Sequence, residues 1–345
     1  IWQSPTTIIK VHNDNWHKVA KSHRNWLETV MQRPETPVSF KTSLGWHFYL
    51  MKLQDGSEVR NFDDLPEMAN ASLDAGINNI MLFGLYNNGH DNDYEMSYIP
   101  NEDWGGPQYF TAQVDKVKEM GVNVIPFFNG TLMDSRILEK SPKLLDMCAR
   151  GRTGSRYGGQ DWSRPCFDFP QTSYKGYTMT RNNMNFEVCI TGNEGRKWFK
   201  DTVKRLSEDY KTGNIQLDQI AHKSHICYDS NHGHKSPATS YTDDLKTLLD
   251  EIKNELRNYN PDGLVIGEGF SDITATYCDG FWNWNQMDNP HVVRYSVPWM
   301  LFSCQIDALD YGEANFAFVN GLLFDLKIEG GVGILSDFPK FQDHL

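Results

Sequence analysis

Two acidic residues are set apart by what precedes them. Asp218 closes the short run Ile215-Gln216-Leu217, and Glu268 closes Leu264-Val265-Ile266-Gly267. An acid at the C-terminal end of a buried strand meets the ligand side of a parallel barrel, and two acids from successive strands can face one bound molecule. Cleaving a glycosidic bond needs such a pair, because one carboxyl group protonates the departing oxygen while the other stabilises or attacks the anomeric carbon. Asp218 reads as the nucleophile and Glu268 as the general acid/base. Gly267 and Gly269, which flank Glu268, are expected to let a substrate approach the backbone. The competing reading makes both acids ordinary polar strand ends that bind an arginine or a helix N-terminus.

Other side chains fit a sugar site. Aromatic residues make up 13% of the chain, with ten tryptophans, and Trp46, Trp104, Trp162, Trp282 and Trp284 sit beside Gly, Asn or Asp rather than in helical stripes. They either fill a core or stack against sugar rings; Trp46 and Trp282 are the candidates for stacking. Asn87 and Asn129 also fall at strand ends. Asn129-Gly130-Thr131 is formally a glycosylation acceptor, but its position favours a substrate contact. The loop 86–106 carries Asn87, His90, Asp91, Asp93 and Glu95, yet Met96 stands where a calcium-binding EF-hand loop needs glycine. His222, His225, His232 and His234 follow Asp218 closely. A metal-dependent hydrolase built on His222, His225 and His234 is therefore the second function class, and a non-catalytic carbohydrate-binding barrel is the third.

The elements that position these residues recur. An amphipathic helix, a glycine, an apolar run and a polar residue follow one another four times, with the glycine at 76, 121, 213 and 263. Glycine favours the position after a helix because it tolerates left-handed backbone there. The apolar runs are 77–85, 122–128, 215–217 and 264–266. Spacings of about 45 to 50 residues suit βα units around a parallel sheet. The interval from Gly121 to Gly213 is about twice that length, and it marks a long insertion after the third strand. The expected architecture is a (β/α)8 barrel of the TIM type over 38–345, with an excursion at about 131–184 and an N-terminal helix and linker over 1–37. After Glu268 the pattern weakens. Segments 280–284 and 295–305 look strand-like and 316–326 reads as helix or strand, so the barrel is either closed there or completed outside this chain.

Composition excludes several classes. The 345 residues carry 33 Lys and Arg against 45 Asp and Glu, a net charge of -12, which repels nucleic acid and anionic lipid. No apolar run approaches the roughly 20 residues of a membrane helix. The six cysteines include no CxxC pair, so they read as scattered buried thiols rather than a zinc ribbon. No organic cofactor or metal is expected, and the disulfide and oligomeric states stay open. The chain begins at Ile1-Trp2 without an initiator Met or signal peptide, so a trimmed segment is expected; the cellular address stays open, with secreted or periplasmic favoured.

The ordered motifs Trp46-His47-Phe48-Tyr49, Asn88-Gly89-His90-Asp91, Trp104-Gly105-Gly106, Gly121-Val122-Asn123-Val124 with Phe128-Asn129, Leu217-Asp218-Gln219 and Gly267-Glu268 resemble a group of glycoside-hydrolase-like barrels known mainly from bacterial genomes. That group is similar in turn to endo-α-N-acetylgalactosaminidase, α-galactosidase and α-amylase barrels. The resemblance spans about residues 40 to 325. It implies an aspartate nucleophile after the fourth strand and a glutamate acid/base after the fifth, retention at an α-linkage, and an oligosaccharide or glycoconjugate substrate. It also implies sugar contacts from His90 and Asp91; independently of the resemblance, Trp46, Asn129, Gln219, His222 and Trp282 are expected to complete the pocket. The α-amylase pattern adds a later aspartate beside a histidine. No such pair occurs here, and Asp288, Asp307 and Asp310 are the candidates.

Overall fold

A computed structural model describes residues 9, 11, 13, 15–53, 56–90, 97–134, 141–154, 173–174, 177–178, 185–221, 226–271, 273–282, 290–306, 311–331 and 333. Eight strands form one sheet: β1 (Gly45–Leu50), β2 (Asn79–Phe83), β3 (Asn123–Phe128), β4 (Ile215–Leu217), β5 (Val265–Glu268), β6 (Gly280–Trp282), β7 (Ser303–Ile306) and β8 (Leu323–Leu326). Neighbours in sequence are neighbours in space, β8 pairs β1, and every pairing is parallel. A parallel bridge between Phe281 and Phe302 joins β6 to the start of β7 and closes the ring. The chain therefore folds as a (β/α)8 barrel.

Helices α1 (Trp16–Val30), α2 (Leu65–Asp74), α3 (Gly106–Glu119), α4 (Asn193–Lys204), α5 (Asp243–Tyr259), α6 (Thr274–Tyr277), α7 (Pro290–Ser296) and α8 (Tyr311–Asn320) accompany the strands. All eight strands lie before residue 327, so closure does not depend on a unit outside the chain. The last units are hard to read because β6 has three residues and α6 four, too few to show a period. The segment 316–326 is both helix and strand, the end of α8 followed by β8. Among the described residues no helix is long and apolar enough to cross a membrane. The return from the excursion is marked by an antiparallel ribbon of Leu132–Asp134 with Asn185–Glu187.

Glycine punctuation is confirmed after α2, α3 and α4, where Gly76, Gly121 and Gly213 have positive φ. Gly263 acts differently. A Cβ there would lie 2.0 Å from Leu256 Cδ2 and 2.7 Å from the Gly213 carbonyl oxygen, so close packing selects it.

Alternation along β1 sorts side chains between barrel interior and helical layer. His47 and Tyr49 point outward: the His47 ring meets Ser72 Oγ at 3.2 Å and Tyr49 OH at 2.8 Å, under α2. Burial and the nearby Arg60 charge lower His47 to a pKa of about 3. Trp46 and Phe48 point inward. Phe48 stacks 5.9 Å from Trp282, which stands on the far strand β6, and Phe40 lies parallel to Trp46 at 6.4 Å. Both indoles donate to one carboxylate: Trp46 Nε1 to Asp325 Oδ1 at 2.8 Å and Trp282 Nε1 to Asp325 Oδ2 at 2.7 Å. Burial pushes Asp325 up to about 6, against the opposing effects of Lys327 and the indoles, and pushes Lys327 down to about 8. The Lys327 ammonium lies 4.7 Å over the Phe48 ring.

This polar knot has a pH signature. The folded chain holds the Asp325 proton more tightly than the unfolded chain, whose carboxyl titrates near 3.8. Its contribution to stability is thus full below that value and is lost as pH rises to about 6. Asp325→Asn removes the titration. The stability of wild type relative to this variant, read from denaturant melts, is expected to fall by up to about 3 kcal/mol between about pH 4 and 7. A difference that stays flat or grows with pH contradicts a buried, proton-holding Asp325.

Candidate active site

Asp218 directly follows β4 and Glu268 ends β5. The register pairs Leu217 with Gly267, so the two acids come next on adjacent strands, which run about 4.8 Å apart in a sheet. Both are buried, at 6% and 3% exposure. Carboxyl groups at such depth require hydrogen-bond partners, and the Asn129 side-chain amide and the Gln219 backbone N–H supply them.

The Asp218 N–H donates to the Phe128 carbonyl at 2.9 Å and carries the ladder from β3 one residue past β4. The chain then turns at Gln219, a non-glycine residue with φ of 54°. This left-handed conformation aims the Gln219 N–H at Glu268 Oε2, 2.7 Å away. Asp218 is held from the other side. Asn129 Oδ1 accepts from Thr131 N at 3.2 Å, Thr131 Oγ1 at 3.1 Å and Leu132 N at 3.1 Å. With its oxygen so engaged, the amide turns Nδ2 toward Asp218 Oδ2 at 2.5 Å. Tyr98 OH donates to the Asn129 carbonyl, and Tyr86 OH donates to the Phe127 carbonyl at 2.6 Å. These tyrosines and Thr131 were not singled out in the sequence, because nothing there shows that they buttress β3. The arrangement presents two fixed, neighbouring carboxyl groups at the C-terminal mouth of the barrel, suited to acid/base and nucleophilic work on one molecule.

The remaining expected residues divide. Asn129 has 0% exposure and spends its amide on Asp218, so it positions that acid rather than facing the mouth. Trp46 and Trp282 are equally buried, their rings packed on Phe40 and Phe48 and their N–H groups bound to Asp325. They belong to the core and offer no open stacking face, which corrects the sugar-platform expectation. His90 sits above the inner aromatic layer, with its ring edge-on to Phe83 at 5.1 Å and Phe127 at 5.4 Å. Asn87 Oδ1 accepts from the Glu102 N–H at 2.8 Å and organises its own loop. Gly267 does not clear a path for substrate: the space a Cβ would take is bounded by Cys278 Sγ at 3.0 Å and Ile220 Cγ2 at 3.3 Å. The Gln219 Oε1 and both amide atoms of Gln216 are buried without a hydrogen-bond partner among the described residues. Asp91, His222, His225, Trp284, Asp288, Asp307 and Asp310 lie outside the described residues.

The histidine cluster takes a different form from the one expected. His232 and His234 meet Cys189 and Cys227. Hydrogen bonding to Cys189 lowers the Cys227 thiol, and His232 and His234 reinforce that shift. His232 is raised in turn by its contact with Cys227.

Residues 2–300 match the profile of the family described as Domain of unknown function (DUF6259). No curated protein matches the chain by sequence. Among solved structures, α-N-acetylgalactosaminidase NagBb from Bifidobacterium bifidum, as a quadruple mutant, superposes with a TM-score of 0.64 at 12% identity, covering 97% of this chain and 57% of that one. GH36 α-galactosidase AgaB from Geobacillus stearothermophilus superposes with a TM-score of 0.61 at 10% identity, covering 96% and 44%. The chain thus spans about half the length of the structures it matches. At such identities the likeness is one of fold: the barrel is of the kind these glycoside hydrolases use.

The left-handed turn at Gln219 can be tested without any substrate. Gln219→Ala and Gln219→Gly both remove the side chain, but only glycine relieves the backbone. The glycine variant is expected to be the more stable by about 1 kcal/mol in denaturant unfolding. Equal stability of the two variants contradicts a strained turn.

Proposed function

The chain belongs to the DUF6259 family, and from the chemistry gathered at its barrel mouth we propose that it is a retaining glycoside hydrolase acting on an α-linked sugar. The observation that carries this reading is the buried pair itself: Asp218 and Glu268 at consecutive strand ends, each held by a separate donor, Asn129 Nδ2 and the Gln219 N–H. Such fixing serves catalysis, because groups already held in place need not reorganise as charge develops. The fold likeness to α-galactosidase and α-N-acetylgalactosaminidase barrels supports a carbohydrate substrate and an α-linkage.

In the proposed reaction the Asp218 carboxylate attacks the anomeric carbon while Glu268 gives its proton to the glycosidic oxygen. The bond to the leaving group breaks as an ester bond to Asp218 forms. Glu268, now ionised, takes a proton from water, which attacks the anomeric carbon and releases Asp218. Placement on neighbouring strands supports this double displacement, which needs carboxyl groups about 5 to 5.5 Å apart. His90, on the aromatic layer of the inner wall, and the side chain of Gln219 are the described candidates for sugar contacts; Asp91 and His222 complete the proposed set.

A panel of aryl α- and β-glycosides provides the assay. Asp218→Ala is expected to lower turnover of an activated α-glycoside by about a thousandfold or more while the protein stays folded, and azide is expected to restore part of the rate from the vacated space. Near-normal turnover by this variant contradicts the assignment. Glu268→Gln is expected to slow substrates with poor leaving groups far more than those with good ones, because only the former need the proton. Equal losses across leaving groups point to a binding role instead. A wild-type chain that binds oligosaccharide yet turns over none of the panel is a carbohydrate-binding barrel, and the catalytic reading fails.

A further inference from the structure

Between β4 and α5 the chain runs from 218 to 242, a connection far longer than the roughly 2 to 6 residues usual between such elements, broken among the described residues only by short helical turns at Ser230–His232 and Pro237–Thr239. Within this one, Cys227, His232 and His234 converge, and Cys189 reaches them from the segment that leads into α4. One sulfur or nitrogen from each of the four residues lies within 4.8 Å of the others. Cys189 Sγ is 3.0 Å from His234 Nε2, and Cys227 Sγ is 3.3 Å from His232 Nδ1. In a tetrahedron with metal–sulfur bonds near 2.3 Å and metal–nitrogen bonds near 2.0 Å, adjacent ligand atoms stand about 3.3 to 3.8 Å apart. The observed short contacts are close to those edges.

Surrounding groups settle which imidazole nitrogen faces the sulfurs. His232 Nε2 lies 2.6 Å from the Asp146 carbonyl oxygen, which can only accept, so the proton of the neutral ring sits on Nε2 and Nδ1 offers its lone pair. His234 Nδ1 lies 3.0 Å from Asp244 Oδ2, and that same oxygen also accepts from Thr239 Oγ1 at 2.9 Å. The proton of His234 therefore belongs on Nδ1, and Nε2 offers its lone pair toward Cys189. A carboxylate that fixes the ring from behind is the usual companion of a metal-bound histidine. Tight packing continues around the cluster. A Cβ on Gly192 would lie 2.9 Å from His232 Cβ and 3.3 Å from Cys189 Sγ, so glycine is needed for the two ligands to come together. A cavity of about 360 Å³ bordered by Cys189, His232, Asp229 and Arg150 lies beside the cluster.

We propose that Cys189, Cys227, His232 and His234 form a structural zinc site that fastens the loop following Asp218 to the segment leading into α4. Two thiolates and two neutral imidazoles carry two negative charges, which a divalent cation balances. Soft sulfur with imidazole selects zinc over magnesium or calcium, which prefer oxygen. With four protein ligands the coordination is closed, so the ion holds structure and does not activate water. Binding releases the thiol protons to solvent. Because Asp218 and Gln219 open the fastened loop, the ion would steady the approach to the carboxylate pair, although the site itself stands independently of the proposed hydrolase activity.

The test uses the full chain purified without chelator from zinc-supplemented medium, with elemental analysis and a colorimetric zinc assay. About one zinc per chain is expected, and Cys189→Ser and His234→Ala should each lower that content at least severalfold. Removing zinc with a chelator should lower the melting temperature by about 5 °C or more, and added zinc should restore it. Cobalt(II) loaded into the wild-type chain gives a readout that does not depend on whether a variant folds. Intense visible bands of tetrahedral cobalt, with near-ultraviolet thiolate-to-metal absorption, are expected. Substoichiometric zinc in the wild type, weak six-coordinate cobalt bands, or a Cys189–Cys227 disulfide in non-reducing peptide maps would overturn the proposal.

Discussion

Burying two carboxyl groups side by side at the mouth of a barrel demands a donor for each, and much of the surrounding structure answers that demand. Asp218 receives the Asn129 amide, and that amide points the right way because Thr131 and Leu132 occupy its oxygen. Glu268 receives the Gln219 N–H, and that N–H points the right way because Gln219 adopts the left-handed backbone that glycine takes after β2 and β5, at Gly84 and Gly269. An uncompensated buried carboxylate costs several kcal/mol, so a local backbone strain of about 1 to 2 kcal/mol is tolerable in exchange. The closed ring of parallel strands makes the arrangement stiff, since Asp218 extends the β3–β4 ladder and Glu268 belongs to β5.

Deeper in the barrel the same rule produces a different outcome. Asp325 is buried with two indole donors and the Lys327 ammonium nearby, and it titrates well above an ordinary aspartate. Trp46 and Trp282 owe their positions to this carboxylate as much as to their apolar bulk. The indoles of this layer are already committed to Asp325, so the proposed substrate contacts fall to the mouth rather than to these tryptophans.

What the sequence disclosed follows from range. Asp218 and Glu268 were legible because an apolar run ending in an acid is a local pattern, and the helices before β2, β3, β4 and β5 are long enough to show their period. The last three strands were hard to delimit because β6 has three residues and its preceding helix four. Trp46 and Trp282 misled because a tryptophan beside polar residues looks alike whether its partner is a sugar or an aspartate; Asp325 lies 279 positions from Trp46. The meeting of Cys189 with His234, 45 positions apart, leaves no spacing motif at all. Gly267 and Gly263 were recognised as meaningful, but packing selects them rather than substrate access or left-handed backbone. Fold and site also inform differently: barrels of this shape host many reactions, so the family and the structural likeness fix the scaffold, while the proposed chemistry rests on the carboxylate pair.

The most direct measurement of the central claim is to trap the covalent intermediate. A fluorinated α-glycoside with a good leaving group slows release of the sugar more than its transfer to the enzyme, and mass spectrometry of the digested protein then locates the label. The account predicts one sugar per chain, ester-linked to Asp218 and absent when Glu268 is intact but Asp218 is replaced by alanine. A label on another residue, or rapid turnover of a substrate with no covalent adduct, would contradict it.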